Sequence, residues 1–201
     1  MAMSMLSSAL PKLRPSAGVA ARVTAFDASI DGVFAPMRGR SAPDRLFYVA
    51  SALGDHGLLW HGIGALRGLR SDRDFTSAVR LSVALGIESA IVNGPVKSLF
   101  ERRRPLFDGV RPHHLRQPLT SSFPSGHASA AFCAAVLLAD GDPLGPLYYA
   151  AAGVVAASRV HVRIHHPSDV VVGAAVGIAI GHILNRVLPR GRPSRPGSAP
   201  S

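Results

Sequence analysis

Apolar positions along this chain cluster into stretches of helical length, and their spacing sorts them into two kinds. From Val19 onward, Val23, Phe26, Ile30, Val33, Phe34 and Met37 recur at steps of three and four, so one face of a helix is apolar while Arg22, Asp27 and Asp31 lie elsewhere on it. Pro36 closes that helix. A single-faced helix of this type either lies flat on a membrane surface or packs its stripe on a protein core. The later segments, Leu46 to Leu66, Phe75 to Val96, Ser125 to Leu138, Leu147 to Val162 and Val170 to Leu188, are apolar on most faces. In the last of them Gly173, Gly177 and Gly181 form a four-residue ladder that lets a neighbouring helix approach closely in lipid. The pattern predicts an all-α fold, an integral-membrane bundle of about five transmembrane helices with an N-terminal amphipathic helix. A Gly-rich helix buried in a soluble bundle is the competing account.

Charges interrupt some of these segments. The first carries Asp55, His56 and His61, the second Arg80 and Glu88. If the helices span a bilayer, such residues face the bundle interior or a wet cavity, because charge at membrane depth is costly; an ion pair between Arg80 and Glu88 is one way to satisfy two of them. Residues 1–18 are expected to be a flexible N-terminus. The stretch 19–188 forms the domain, and the Pro- and Arg-rich tail 189–201 has no apolar content from which to build structure.

Composition sharpens this. The 201 residues are 47% hydrophobic and only 17% charged, against about 25% charged in an average soluble domain, and the mean hydropathy is +0.23. The few charges are lopsided, with a formal net charge of +10, so an anionic partner is expected: nucleic acid, an acidic membrane surface or a phosphorylated substrate. The single cysteine, Cys133, excludes an intramolecular disulfide and a Cys-based zinc site, and reads as a small buried hydrophobe.

Three polar clusters sit at the ends of the apolar segments. After the second segment, Lys97 and Arg104 are seven apart, a spacing that on a helix puts both cations on one face, suited to phosphoryl oxygens. Pro124-Ser125-Gly126-His127 opens the third segment, with a preferred N-cap, a residue without Cβ, and N–H groups that form an anion site at a helix start. The run from Ser158 to Asp169 carries Arg159, His165 and Asp169; Pro167 disfavours helix at His166, so Asp169 falls at a helix start close to His165. A carboxylate there can hold the proton on one imidazole nitrogen and leave the other free to attack. Taken alone, such a His-rich turn fits a metal site or a surface loop equally well.

Lys97, Arg104 and Pro105, then Pro124, Ser125, Gly126 and His127, then Ser158, Arg159, His165 and Asp169 together resemble the three-part signature of the type 2 phosphatidic acid phosphatase (PAP2) superfamily. The resemblance implies a nucleophilic His165 that carries a phosphoenzyme intermediate, an Asp169 that orients it and stabilises its cationic form, and a His127 that acts as general acid. It also implies an oxyanion cage of Lys97, Arg104, Ser125, Gly126 and Arg159, with no metal ion and no cofactor. Arg102, Arg103, His161, Arg163 and His166 adjoin the signature without belonging to it. Arg111, His113, His114 and Arg116 lie between the first two clusters, where they either gate the site, touch a headgroup or are simply solvated.

The resemblance further implies a multi-pass protein of the cell membrane, with membrane lipids as neighbours and a phosphorylated lipid as substrate. Polyprenyl-linked substrates are the first expectation, either a polyprenyl diphosphate or decaprenylphosphoryl 5-phosphoribose. Phosphatidylglycerophosphate or phosphatidate is the alternative within the family. A non-catalytic membrane protein that binds anionic lipid would need the cations but not His127, His165 and Asp169. Nucleic acid is not expected as a partner, because the cations are not interleaved with aromatic residues.

Overall fold

The computed structural model describes residues 12–107, 111, 115 and 120–189. Among the described residues the structure is helical, with no strand. Helix α1 (Ala17–Phe34) starts at Ser16, whose hydroxyl accepts from Val19 N–H, and continues into a 3₁₀ turn, Ala35–Met37, that holds Pro36. Then come α2 (Ser41–Leu53), α3 (Leu58–Gly68), α4 (Asp72–Ile91), α5 (Gly126–Ala139), α6 (Gly145–His161) and α7 (Pro167–Val187). Two elements, Asp72–Val96 and Pro167–Val187, are long and apolar enough to cross a membrane.

The first apolar segment is not one helix. Gly54 to Gly57 form a 3₁₀ turn in which His56 (φ 52°) and Gly57 (φ 68°) are left-handed, so α2 stops and α3 starts afresh. Left-handed backbone cannot continue a right-handed helix, and glycine is the residue that adopts it at least cost. The break turns Asp55 inward, toward α5.

Helix α5 is the axis of the bundle, flanked by α7, α6 and α4; α3 packs on α4 and α2 on α6. Its buried residues are mostly small, among them Ala128, Ser129, Ala131, Cys133 and Ala134. The glycine ladder of α7 lies directly on it. A Cβ at Gly173 or Gly177 would collide with the carbonyl oxygens of Ser125 and Ser129, and one at Gly181 would come within 2.9 Å of Val136 Cβ. Large apolar residues also line the outside, including Leu46, Leu58, Phe75, Leu147, Val171 and Ile183. Beside a core that itself holds Trp60, Leu81, Leu85 and Leu184, so many exposed bulky side chains give the bundle a broad apolar surface.

Arg80 and Glu88 do not pair. Eight residues span about 12 Å along a helix axis, and Arg80 reaches the other way, donating to Asn185 O at 2.6 Å and Asn185 Oδ1 at 2.7 Å. Glu88 is buried, with neither carboxylate oxygen hydrogen-bonded among the described residues. The far end of the bundle is closed by Arg67, which donates to Leu138 O at 3.0 Å and pairs with Asp142 at 2.9 Å.

At the opposite end α1 lies across α6 and α7, so its inner stripe meets protein while Val19, Phe26 and Val33 face outward. Within the stretch expected to be flexible, Lys12 Nζ donates to Ser98 O at 2.7 Å and Leu13 N–H to Leu99 O at 2.8 Å. Most of the expected tail, together with His113, His114 and Arg116, lies outside the described residues.

Candidate active site

Lys97 and Arg104 do not share a helix face. After Ile91 the backbone widens into a π-helical turn, Val92–Val96, with Gly94 off helical geometry and Pro95 inside it. The helix ends within two residues of Lys97, and residues 100–107 are irregular. Proline at both 95 and 105 accounts for this, since each removes a donor and restricts its predecessor. The two cations still converge. Lys97 is buried, and Arg104 folds back to donate to Ile164 O at 3.0 Å and Thr120 O at 3.2 Å, with Nη1 3.1 Å from His165 Nε2.

Ser125 caps α5, its hydroxyl accepting from Ala128 N–H. Its own N–H donates to Asp169 O at 2.9 Å, which stitches the start of α5 to the start of α7. At Gly126 the missing Cβ admits a protein group: Asn93 Oδ1 stands 2.9 Å from where that carbon would be. In the first turn of α5, His127 has Nε2 2.9 Å from Asp55 Oδ1. A carboxylate only accepts, so Nε2 carries a proton there and Nδ1 is left for exchange.

The turn after α6 holds the third cluster. Ile164 N–H and His165 N–H both donate to Arg159 O at 3.1 Å, so the chain doubles back and sets His165 beside Arg159. His165 Nδ1 is 2.7 Å from Ser122 O. A carbonyl can only accept and a guanidinium can only donate, so Nδ1 carries the proton and the Nε2 lone pair faces Arg104. That is the tautomer a nucleophilic Nε2 requires. Asp169 was expected to hold this proton directly; its Oδ2 is instead 3.7 Å from Nδ1, because Ser122 supplies the acceptor.

The charges here are unbalanced. Lys97 is pushed down to about 8 by burial and by the neighbouring Arg104 and Arg159, against the opposing pull of Glu88 and Asp169. His165 is driven down to about 3 by burial first, with Arg159 and Arg104 adding to it and Asp169 opposing. Arg159 is fully buried and donates through Nη1 to Ser51, yet its Nε and Nη2 make no hydrogen bond among the described residues. Gathered cations with buried, unspent donors have the chemistry that suits an anion with several oxygens.

Sequence reasoning missed four residues of this environment. Asp55 holds His127 and Ser122 holds His165, while Asn93 fills the space at Gly126. Arg102 donates to Asp169 Oδ1 at 2.5 Å. Asp55 stood out in the sequence as a carboxylate inside an apolar segment, and Arg102 only as a neighbour of the signature. The other flanking residues serve the scaffold: His161 pairs with Asp44 at 2.7 Å, His166 caps α7, and Arg111 donates to Val162 O and Arg163 O.

Comparison with known proteins agrees with this geometry. The PAP2 superfamily profile matches residues 77–192. The decaprenylphosphoryl-5-phosphoribose phosphatase of Mycolicibacterium smegmatis is 31% identical over 151 residues, which is 73% of this chain and 80% of the relative. Among solved structures, Aquifex aeolicus LpxE superposes with a TM-score of 0.60 at 26% identity, covering 77% of this chain and 93% of that one. The transmembrane PAP2 type phosphatidylglycerolphosphate phosphatase of Bacillus subtilis superposes with a TM-score of 0.66 over 94% and 95% of the two chains; at 20% identity that likeness concerns the fold. With a family match over more than half of the sequence and relatives named as phosphatases, the chain belongs to the PAP2 superfamily and is a phosphatase.

Proposed function

We propose that the protein spans the membrane with five helical passes, the first being α2 and α3 together, and hydrolyses a lipid phosphate at the end where α4, α5, α6 and α7 meet the polar clusters. The observation that carries this reading is the tautomer of His165 beside a buried Arg159 with two unspent donors. His165 Nε2 attacks phosphorus as the bond to the leaving oxygen breaks, and His127 gives that oxygen its proton. Water then attacks the phosphohistidine, returning a proton to His127; the phosphorus–nitrogen bond breaks and inorganic phosphate leaves. Lys97, Arg104, Arg159 and the N-terminus of α5, at Ser125 and Gly126, neutralise the equatorial oxygens, which is most of what phosphoryl transfer asks of a protein. Asp169 stabilises the cationic forms of His165 by charge.

A polyprenyl-linked phosphate is the preferred substrate, supported by the similarity to the mycolicibacterial enzyme over 73% of the chain. The test is phosphate release by purified protein in detergent from polyprenyl diphosphate, decaprenylphosphoryl 5-phosphoribose, phosphatidylglycerophosphate and phosphatidate, with and without excess chelator. A polyprenyl substrate should be turned over fastest, chelator should leave the rate unchanged, and folded His165→Ala should be inactive. Normal turnover by His165→Ala would overturn the mechanism, and a faster rate on a glycerophospholipid would overturn the substrate.

A further inference from the structure

Asp169 makes no direct hydrogen bond to His165: its Oδ2 is 3.7 Å from Nδ1, whose proton goes to Ser122 O, and its oxygens are held by other groups. Oδ1 accepts from Arg102 Nη1 at 2.5 Å, and Oδ2 accepts from the Ser122 hydroxyl and from His166 N–H at 2.9 Å. Arg102 is itself shared. Its Nη2 donates to Asp27 Oδ2 at 2.6 Å, and its Nη1 also donates to Ser168 Oγ at 2.7 Å. Asp27 comes from the middle of α1, is 6% exposed, and accepts from Ser168 N–H at 2.7 Å and Ser168 Oγ at 3.0 Å. A buried carboxylate is tolerated only when its charge and lone pairs are met, and every partner that meets this one belongs to the strand of chain around the site. One guanidinium thus joins two carboxylates, one on the N-terminal helix and one beside His165. Neither Asp27 nor Arg102 is among the signature positions.

We infer that Asp27 and Arg102 are positioning residues for the phosphatase reaction: Arg102 fixes the orientation and effective charge of Asp169, and through Asp169 and Ser122 the ring of His165, only while α1 is docked and Asp27 holds the guanidinium in place. The inference rests on the reading of His165 as nucleophile. The charges facing His165 are Asp169 from α7, Arg159 from α6 and Arg104 from the irregular segment; Lys97 at the end of α4 also faces Asp169. Replacing Arg102 by a neutral residue frees Asp169, so its full negative charge bears on His165 and favours the imidazolium. Neutralising Asp27 does the reverse, since Arg102 then belongs to Asp169 alone.

The experiment compares Asp27→Asn, Asp27→Glu, Arg102→Gln and Arg102→Lys in detergent, with thermal unfolding to measure the folded fraction. On the best lipid phosphate of the panel, Asp27→Asn and Arg102→Gln should lower kcat by about 10- to 100-fold per folded molecule, with KM little changed. Asp27→Glu and Arg102→Lys, which keep the charges, should recover most of the loss. In ¹⁵N-histidine-labelled protein, with the His165 resonance assigned by its loss in His165→Ala, Arg102→Gln should raise the pH at which His165 titrates and Asp27→Asn should not. Normal kcat in both neutral variants, or an unmoved His165 titration in Arg102→Gln, overturns the inference. If the wild type releases no phosphate from any lipid while Arg102→Gln still moves the titration, the linkage stands and the proposed function falls.

Discussion

At the scale of residues, the proposed roles make two groups set the pH behaviour, and their signs differ. On the proposed mechanism His165 attacks as neutral imidazole. Its ordinary midpoint is about 6.5, and burial with two arginines has moved it to about 3, so lowering the pH from 7 to 5 leaves the nucleophile unprotonated. On the same proposal Lys97 binds the anion as a cation; it is charged below about 8 and loses that charge as pH rises through this value. Competitive inhibition by tungstate, whose own charge is constant over this range, should therefore weaken above about pH 8. Lys97→Arg should carry that weakening to higher pH, because a guanidinium stays charged; an unmoved inhibition profile would place the titration on another group. The signature residues were readable because their chemistry is unusual where they stand: a histidine, a cation or a carboxylate at the lip of an apolar run announces itself. Ser122 and Asn93 were not, since a serine that lends its carbonyl and an asparagine that fills the space at a glycine look like any others. Asp27 and Arg102 sit 75 residues apart and meet only through the fold.

At the scale of elements, the contact between α5 and α7 is made by backbone against backbone, which makes glycine obligatory on α7. Gly177→Ala forces a methyl group against Ser129 O and should cost about 1–3 kcal/mol, the range for overpacking a filled interior. Gly86→Ala, in the open on α4, should be neutral or slightly stabilising, as alanine is in a helix. Thermal unfolding of the two variants in the same detergent checks this, and equal stability would mean that α7 can stand off from α5. The helices themselves were legible because apolar runs of helical length are hard to misread; α5, α6 and α7 begin and end within a few residues of the expected positions. Two breaks were not anticipated, though each had a local signal. Gly54 and Gly57 bracket the turn between α2 and α3, and Pro95 and Pro105 bracket the stretch that takes Arg104 off the helix. In both places the wider pattern, an apolar run in one and a seven-residue spacing in the other, outweighed the breakers within it.

At the scale of the whole molecule, bulky aliphatic residues face out along the bundle, and polar residues collect at its two ends. The site end holds Lys97, His127 and His165; the far end holds Arg67, Asp142 and Asn185. If the bundle crosses a bilayer, single cysteines at Arg70 and Arg103, in a Cys133→Ala background, should react with an impermeant maleimide from opposite faces of sealed vesicles. Labelling of both from one face would rule out the five-pass arrangement.

The turn that ties His165 to Arg159 also dictates a timetable. Lys97, Arg104 and His127 leave the ribosome well before residue 165, and the carbonyl that anchors His165 belongs to the penultimate helix. On the proposed roles, a partly synthesised chain can gather an anion but has nothing with which to attack it. Competence on that proposal arrives with α7, once Gly173 and Gly177 have seated it on α5. A copy cut short before His165 is then expected to be inert.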